Sequence, residues 1–233
     1  MKDKKTRNER WSERWNDRSL HVFDEISIQY VSGFEMISPY DWSEMVSKFL
    51  SLIQHDKVKR VLELGCGSGA FLSAVQNIVP DVSISGCDIS SNSIYIASKR
   101  LKGTFINENA DTEIEVFINR SDLVLAFSVF QYFDDYNMAN KVLNNMLSYI
   151  KNKGSIFIGD VPDINKKKQD IKQRKIDGRG TSDHLYYNKD FFLSFASSNN
   201  LLIEIYDHVN INLPASLPNR EFRYSVFMRH KSE

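Results

Sequence analysis

The sequence predicts an α/β fold: a three-layer sandwich around one seven-stranded, mostly parallel sheet whose last strand runs antiparallel, with helices added at the N-terminus. Three observations predict it. Strand-length apolar runs alternate with amphipathic helical stretches from residue 60 onward. Two of those runs end in an acid, at Asp88 and Asp160. The last two runs have no helix between them, so they pair antiparallel.

The elements follow in order. Residues 1–39 form a highly charged N-terminal extension, a helical lid by expectation, and residues 40–233 form the main domain. Trp11 and Trp15 stand four apart and share one helix face. That face reads as a packing surface, and a related reading folds the helix over a ligand. Met45, Phe49, Leu52 and Ile53 recur at helical spacing over 40–55. RVLELG (60–65) is a buried strand and AFLSAVQNIV (70–79) a helix. VSISGCD (82–88) is the second strand, and SSNSIYIASKRL (90–101) is a helix with a serine available as cap. A short third strand opens GTFINENAD (103–111), and SDLVLAFS (121–128) is the fourth. MANKVLNNMLSYI (138–150) is amphipathic, and GSIFIGD (154–160) is the fifth strand. Residues 161–189 break the rhythm as a basic loop insertion carrying KKKQDIKQRK. A helix at 189–200 and strands at 201–208 and 221–229 complete the chain.

Composition bounds the function. The 233 residues are 42% hydrophobic and 26% charged, with 30 basic and 30 acidic side chains. Such a neutral balance argues against a nucleic-acid partner, and no apolar run is long enough to span a bilayer. The first residues lack the apolar core of a secretory signal. Two cysteines make no disulfide framework. The expectation is a cytoplasmic protein with reduced thiols, no membrane association and no bound metal. A homodimer is left open.

The chemistry gathers after the first strand. Gly65, Gly67 and Gly69 alternate in a turn that lets a ligand approach the backbone. Asp88 follows at the end of the second strand, where a carboxylate can accept from both hydroxyls of a ribose. The glycines also fit the loose dinucleotide pattern, which holds a pyrophosphate on a helix N-terminus. Glu63, two residues before the first glycine, would repel that anion. It suits a ligand with an ammonium group near a sulfonium, which is S-adenosylmethionine.

Glu63-Leu64-Gly65-Cys66-Gly67-Ser68-Gly69 resembles the first motif of the S-adenosylmethionine-dependent methyltransferases with the Rossmann-like fold. Asp88 matches their acid after strand two, and Asn109-Ala110-Asp111 their loop after strand three. DLVLAFSVFQYF (122–133) and GSIFIGDVPD (154–163) resemble strands four and five. The resemblance spans roughly residues 40–229. It implies cofactor contacts from Glu63, Gly65, Cys66, Gly67, Gly69, Asp88, Ile89, Ala110, Asp111 and Phe127, with S-adenosylhomocysteine as product. Gln131 stands where many relatives carry a histidine, so a base must lie elsewhere. His184 is favoured and Asp160 is the second candidate.

Gln131, Tyr132, Tyr186, Tyr187 and Arg223 are the expected acceptor contacts. The basic run Lys166 to Lys175 is expected to steer a phosphate-bearing small molecule. The favoured acceptor is a hydroxyl of a sugar, sugar phosphate or nucleotide sugar, in surface-polysaccharide or metabolite synthesis. Nitrogen methylation, an RNA or protein acceptor, and a non-catalytic partner stay open. A nicotinamide oxidoreductase is more distant. Its Tyr–Lys pair would be Tyr149 and Lys153, with Lys153 at a helix end.

Overall fold

The computed structural model describes residues 5–20, 34, 37–53, 58–178 and 183–231. The expected N-terminal lid, residues 1–39, is therefore described at 5–20, 34 and 37–39, and its remaining positions lie outside the described residues.

Helix α1 (Arg7–Leu20) precedes α2 (Pro39–Leu52). Alternation then begins with β1 (Arg60–Leu64), α3 (Ala70–Ile78), β2 (Ser83–Asp88) and α4 (Ser91–Arg100). It continues with β3 (Gly103–Asn107), β4 (Ser121–Phe127), α5 (Tyr136–Tyr149) and β5 (Ile150–Pro162). Helix α6 (Lys167–Ile176), α7 (Lys189–Ser198), β6 (Leu201–Asp207) and β7 (Arg223–His230) complete the order. The seven strands lie in the order β3-β2-β1-β4-β5-β7-β6. β1 to β5 pair in parallel, and β7 inserts antiparallel to both β5 and β6. The chain thus reverses direction across the sheet between β1 and β4, which is where ligands bind in such sheets.

Alternation along each strand builds the two faces. Leu123, Leu125 and Phe127 of β4 pack with Phe49, Phe71 and Phe157 on one face. Val124 and Ala126 face the other way, toward Leu143, Met146 and Phe192. Full burial of such side chains contributes about 1.5–3 kcal/mol each. Side-chain caps fix the helix starts: Ser38 accepts the Asp41 amide, Ser90 that of Ser93, and Asp135 that of Met138.

Two expectations change here. The basic run is a helix rather than a loop, because α6 turns Asp170 inward while its lysines face out. Asp170 is fully buried and accepts from Tyr186 Oη at 2.7 Å and Arg223 Nη1 at 3.0 Å. Residues 179–182 of the expected insertion lie outside the described residues. The fifth strand also starts earlier than expected, at Ile150. Tyr149 therefore ends a helix and Lys153 lies on a strand, so they do not form the helical Tyr–Lys pair of an oxidoreductase. No described helix is long and apolar enough to cross a membrane.

Candidate active site

β1 ends at Leu64 and delivers the chain into the glycine turn. Gly65 has φ +72°, and a Cβ there would lie 2.5 Å from Val129 Cγ2. Both the backbone angle and the close approach demand glycine. The amides of Gly65 and Cys66 donate to Cys87 O at 2.8 and 3.0 Å, which ties the turn to β2. Asp88 closes that link, since its carboxylate accepts the Gly67 amide and the Ser90 amide, each at 2.8 Å. Burial raises the Asp88 pKa against the lowering effect of those two amides.

The cleft over this switch point holds about 900 Å³ of empty space, open solvent at its mouth included. Glu63, Gly65, Cys66, Gly67, Asp88, Ile89, Ala110, Phe127 and Tyr132 line it. Glu63 is 3% exposed, and its Oε2 is buried with no hydrogen-bond partner among the described residues. Burial, then the nearby Asp88 charge, pushes its carboxyl well above the usual range. A buried acceptor left unpaired is costly, so this wall is built for a donor that arrives with a ligand.

Several expected contacts lie elsewhere. Gly69 is off the wall; its φ of +85° starts α3, and a Cβ would meet Leu101 Cδ1 at 2.4 Å. Asp111 turns toward Lys141, 3.9 Å away, while Asn109 and Ala110 line the cleft. Gln131 is buried behind the wall and donates to Ser128. Tyr187 is fully buried and donates to Phe130 O at 2.8 Å. Tyr186 and Arg223 both bond Asp170 inside the protein, and neither lines the cleft.

The two expected bases are also off the wall. The His184 ring packs against Tyr132 and Trp11, with centroids 5.4 and 5.7 Å away. Burial, then the Arg174 charge, holds its pKa down at about 2, far too weak a base for neutral pH. Asp160 is buried, accepts from Ser128 Oγ at 2.7 Å and lies 3.5 Å from Arg223 Nε. Asp160 reaches the cleft through its hydrogen bond with Ser128, which does line it.

The rest of the wall escaped sequence reasoning. Trp11 and Trp15 of α1, Phe34, Trp42 of α2, Phe71 of α3 and Phe133 put aromatic rings around the cavity. Trp42 is anchored by its indole N–H to Ala70 O at 3.1 Å. The spacing of the two N-terminal tryptophans was the one available signal, and it spoke first for plain packing. Helix α1 is tied down at both ends. Asn16 accepts the Ser90 hydroxyl at 3.0 Å, and Ser19 pairs with Ser93 at 2.7 Å. Arg7 donates to the carbonyls of Phe133 and Asp134, and Arg10 meets Asp183 at 2.5 Å.

Comparison with known proteins follows this geometry. Residues 62–156, which carry the glycine turn, Asp88 and the β4 edge, match the family described as a methyltransferase domain. That stretch is similar to a methyltransferase domain. The chain is also 28% identical over 152 residues to the demethylmenaquinone methyltransferase of Thermotoga maritima, covering 64% of each chain. The chain thus matches somewhat under two thirds of that relative's length. Among solved structures it is similar to magnesium protoporphyrin IX methyltransferase from Synechocystis with bound S-adenosylhomocysteine. That likeness has a TM-score of 0.63 at 13% identity, over 97% of this chain and 100% of that one. The N-methyltransferase NodS from Bradyrhizobium japonicum, in complex with the same product, aligns with TM-score 0.64 at 14% identity, over 95% and 99%. At such identities these likenesses establish the shared fold.

The cofactor of a methyltransferase domain is S-adenosylmethionine, and the cleft residues fit it. The unpaired Glu63 oxygen suits an ammonium group. Asp88, at the end of β2, suits ribose hydroxyls. Ile89 and Ala110 offer apolar surface beside it for a flat base.

Proposed function

We propose that this chain transfers a methyl group from S-adenosylmethionine to a small-molecule acceptor that is largely apolar or aromatic. When bound, the cofactor supplies an electrophilic methyl on a sulfonium. The protein's part is to orient both reactants and exclude water. One observation carries the acceptor class: the wall is ringed by aromatic side chains, and neither lysine nor arginine lines it among the described residues. A sugar phosphate would bring an anion into a cleft whose charged side chains are Glu63 and Asp88. The cations that suggested phosphate are on α6, away from this wall, or buried against Asp170 as Arg223 is. Two of the similar proteins are named for demethylmenaquinone and magnesium protoporphyrin IX, which points the same way.

We also propose that α1 is a lid. Its tryptophans lie over the cleft and its ends are latched by reversible polar contacts. A cofactor leaving the cleft would have to displace them.

The test is a methyl-transfer screen with tritium-labelled S-adenosylmethionine. Naphthols, quinols and aromatic amines form one panel, and sugar phosphates and nucleotide sugars the other. Turnover confined to the first panel supports this reading, and turnover confined to the second refutes it.

A further inference from the structure

Ser128 follows the end of β4, Asp160 sits within the neighbouring parallel strand β5 where its register with β7 shifts, and both hold left-handed backbone, at φ +57° and +59°. Neither is a glycine, so the fold maintains local strain at this pair. The Ser128 amide donates to Gly159 O at 3.0 Å, which ties the chain just after β4 to β5.

The hydroxyl can be accounted for bond by bond. Gln131 Nε2 lies 3.0 Å from Ser128 O and 2.7 Å from Ser128 Oγ. A carbonyl can only accept, so the amide must present its NH₂ here, and the flipped arrangement is excluded. Ser128 Oγ therefore accepts from Gln131. Its own proton goes to Asp160 Oδ2, 2.7 Å away. A hydroxyl has one proton and two lone pairs, so a single lone pair is left over, on a residue that lines the cleft.

We propose that Ser128 is the catalytic residue that takes the acceptor's proton during methyl transfer and hands its own proton to Asp160. The inference rests on the methyl-transfer reading above and supplies the base it lacks. As the acceptor oxygen or nitrogen bonds to the methyl carbon, the carbon–sulfur bond breaks and its electron pair stays on sulfur. The acceptor's proton moves to Ser128 Oγ, and the Ser128 proton moves to Asp160 Oδ2. The products are the methylated acceptor, S-adenosylhomocysteine and a neutral Asp160, and the proton later returns to solvent.

The surroundings of Asp160 suit a proton acceptor. Arg223 of β7 lies 3.5 Å away, and Asp170 and Arg174 of α6 also act on it. Burial raises its pKa, opposed by the Arg223 charge and by the Ser128 hydrogen bond. Gln131 is a positioning residue, because its amide aims the serine proton at the carboxylate.

The test begins without an acceptor. Protein carrying carboxyl-labelled aspartate is saturated with S-adenosylhomocysteine and followed by carbon NMR across pH. The Asp160 signal is assigned by its loss in Asp160→Asn. The expected midpoint lies above the ordinary carboxylate range with the group ionised at mildly alkaline pH. In Ser128→Ala the midpoint rises further while affinity for S-adenosylhomocysteine is unchanged. A carboxyl still protonated at mildly alkaline pH, or a midpoint unmoved in Ser128→Ala, overturns the proposal. So does a Ser128→Ala variant that loses the product, since Ser128 would then be a cofactor contact. The second arm compares a naphthol with iodide, a nucleophile that has no proton to lose. Ser128→Ala should lower kcat on the naphthol about 100-fold at unchanged KM and lose far less on iodide. Equal losses on both overturn the relay. A wild-type protein that methylates iodide but no naphthol counts against the acceptor class proposed above, and the NMR arm still decides the relay.

Discussion

Arg223 of β7 holds Asp170 of α6 at 3.0 Å, with both side chains buried. This pair pins the basic helix to the sheet, and Tyr186 completes it with a 2.7 Å hydrogen bond to the same carboxylate oxygen. Arg223→Ala would leave the Asp170 charge buried with its main partner gone. The expected loss is about 3–5 kcal/mol, read as a lower urea midpoint. A loss under about 1 kcal/mol, the range of surface pairs, would contradict the role given to this pair.

Glu63 ties stability and binding to pH in opposite senses. Burial raises its folded pKa well above 4.5. The protonated form is therefore favoured by the fold, and its stabilising contribution is present at low pH. That contribution is lost as pH rises through the folded value. Binding an ammonium group needs the ionised form, so affinity for S-adenosylhomocysteine should fall as pH drops through the raised value. Glu63→Gln should weaken binding, remove that pH limb, and raise the Tm of the ligand-free protein at neutral pH. Titration calorimetry and thermal melts across pH check all three outcomes.

Gly65→Ala meets two obstacles at once: φ +72° and a Val129 methyl 2.5 Å from the new Cβ. The expected destabilisation is about 1–3 kcal/mol, with weaker cofactor binding because Val129 lines the same cleft. Urea unfolding and product titration would show both, and a neutral substitution would mean the turn relaxes freely.

The lid reading makes a kinetic prediction. Trp11 packs on Tyr132 with centroids 4.5 Å apart, and Arg10 holds Asp183. Arg10→Ala and Trp11→Ala should speed release of S-adenosylhomocysteine with a smaller change in overall stability. Stopped-flow tryptophan fluorescence on Arg10→Ala, which keeps all three tryptophans, measures that rate. An unchanged release rate in both variants would remove α1 from the account.

The legible part of this chain was local. The glycine turn, Glu63 and Asp88 could be read because each sits at a strand end, and alternation announces where strands end. The antiparallel close of the sheet followed from two strands with no helix between them. What stayed hidden depends on which way a polar or aromatic side chain turns. Tyr186, Tyr187 and Arg223 have the chemistry of an acceptor site, yet they turn into the core. Asp170 sits in a run with no apolar stripe, so nothing local marked it as the inward face of a helix. Trp42 and Phe71 are ordinary core residues by pattern, and they reach the cleft only because α2 packs beside α3. His184 has the right element for a base, but burial among rings and positive charges removes its basicity.

The central claim is that the glycine turn and Asp88 hold S-adenosylmethionine. Titration calorimetry of the whole chain with S-adenosylhomocysteine, run beside NADH and beside Asp88→Ala, tests it most directly. Specific binding of S-adenosylhomocysteine, weakened about 10- to 100-fold in Asp88→Ala through loss of charge-assisted hydrogen bonds, with no binding of NADH, is the predicted result. Binding of NADH alone would contradict it.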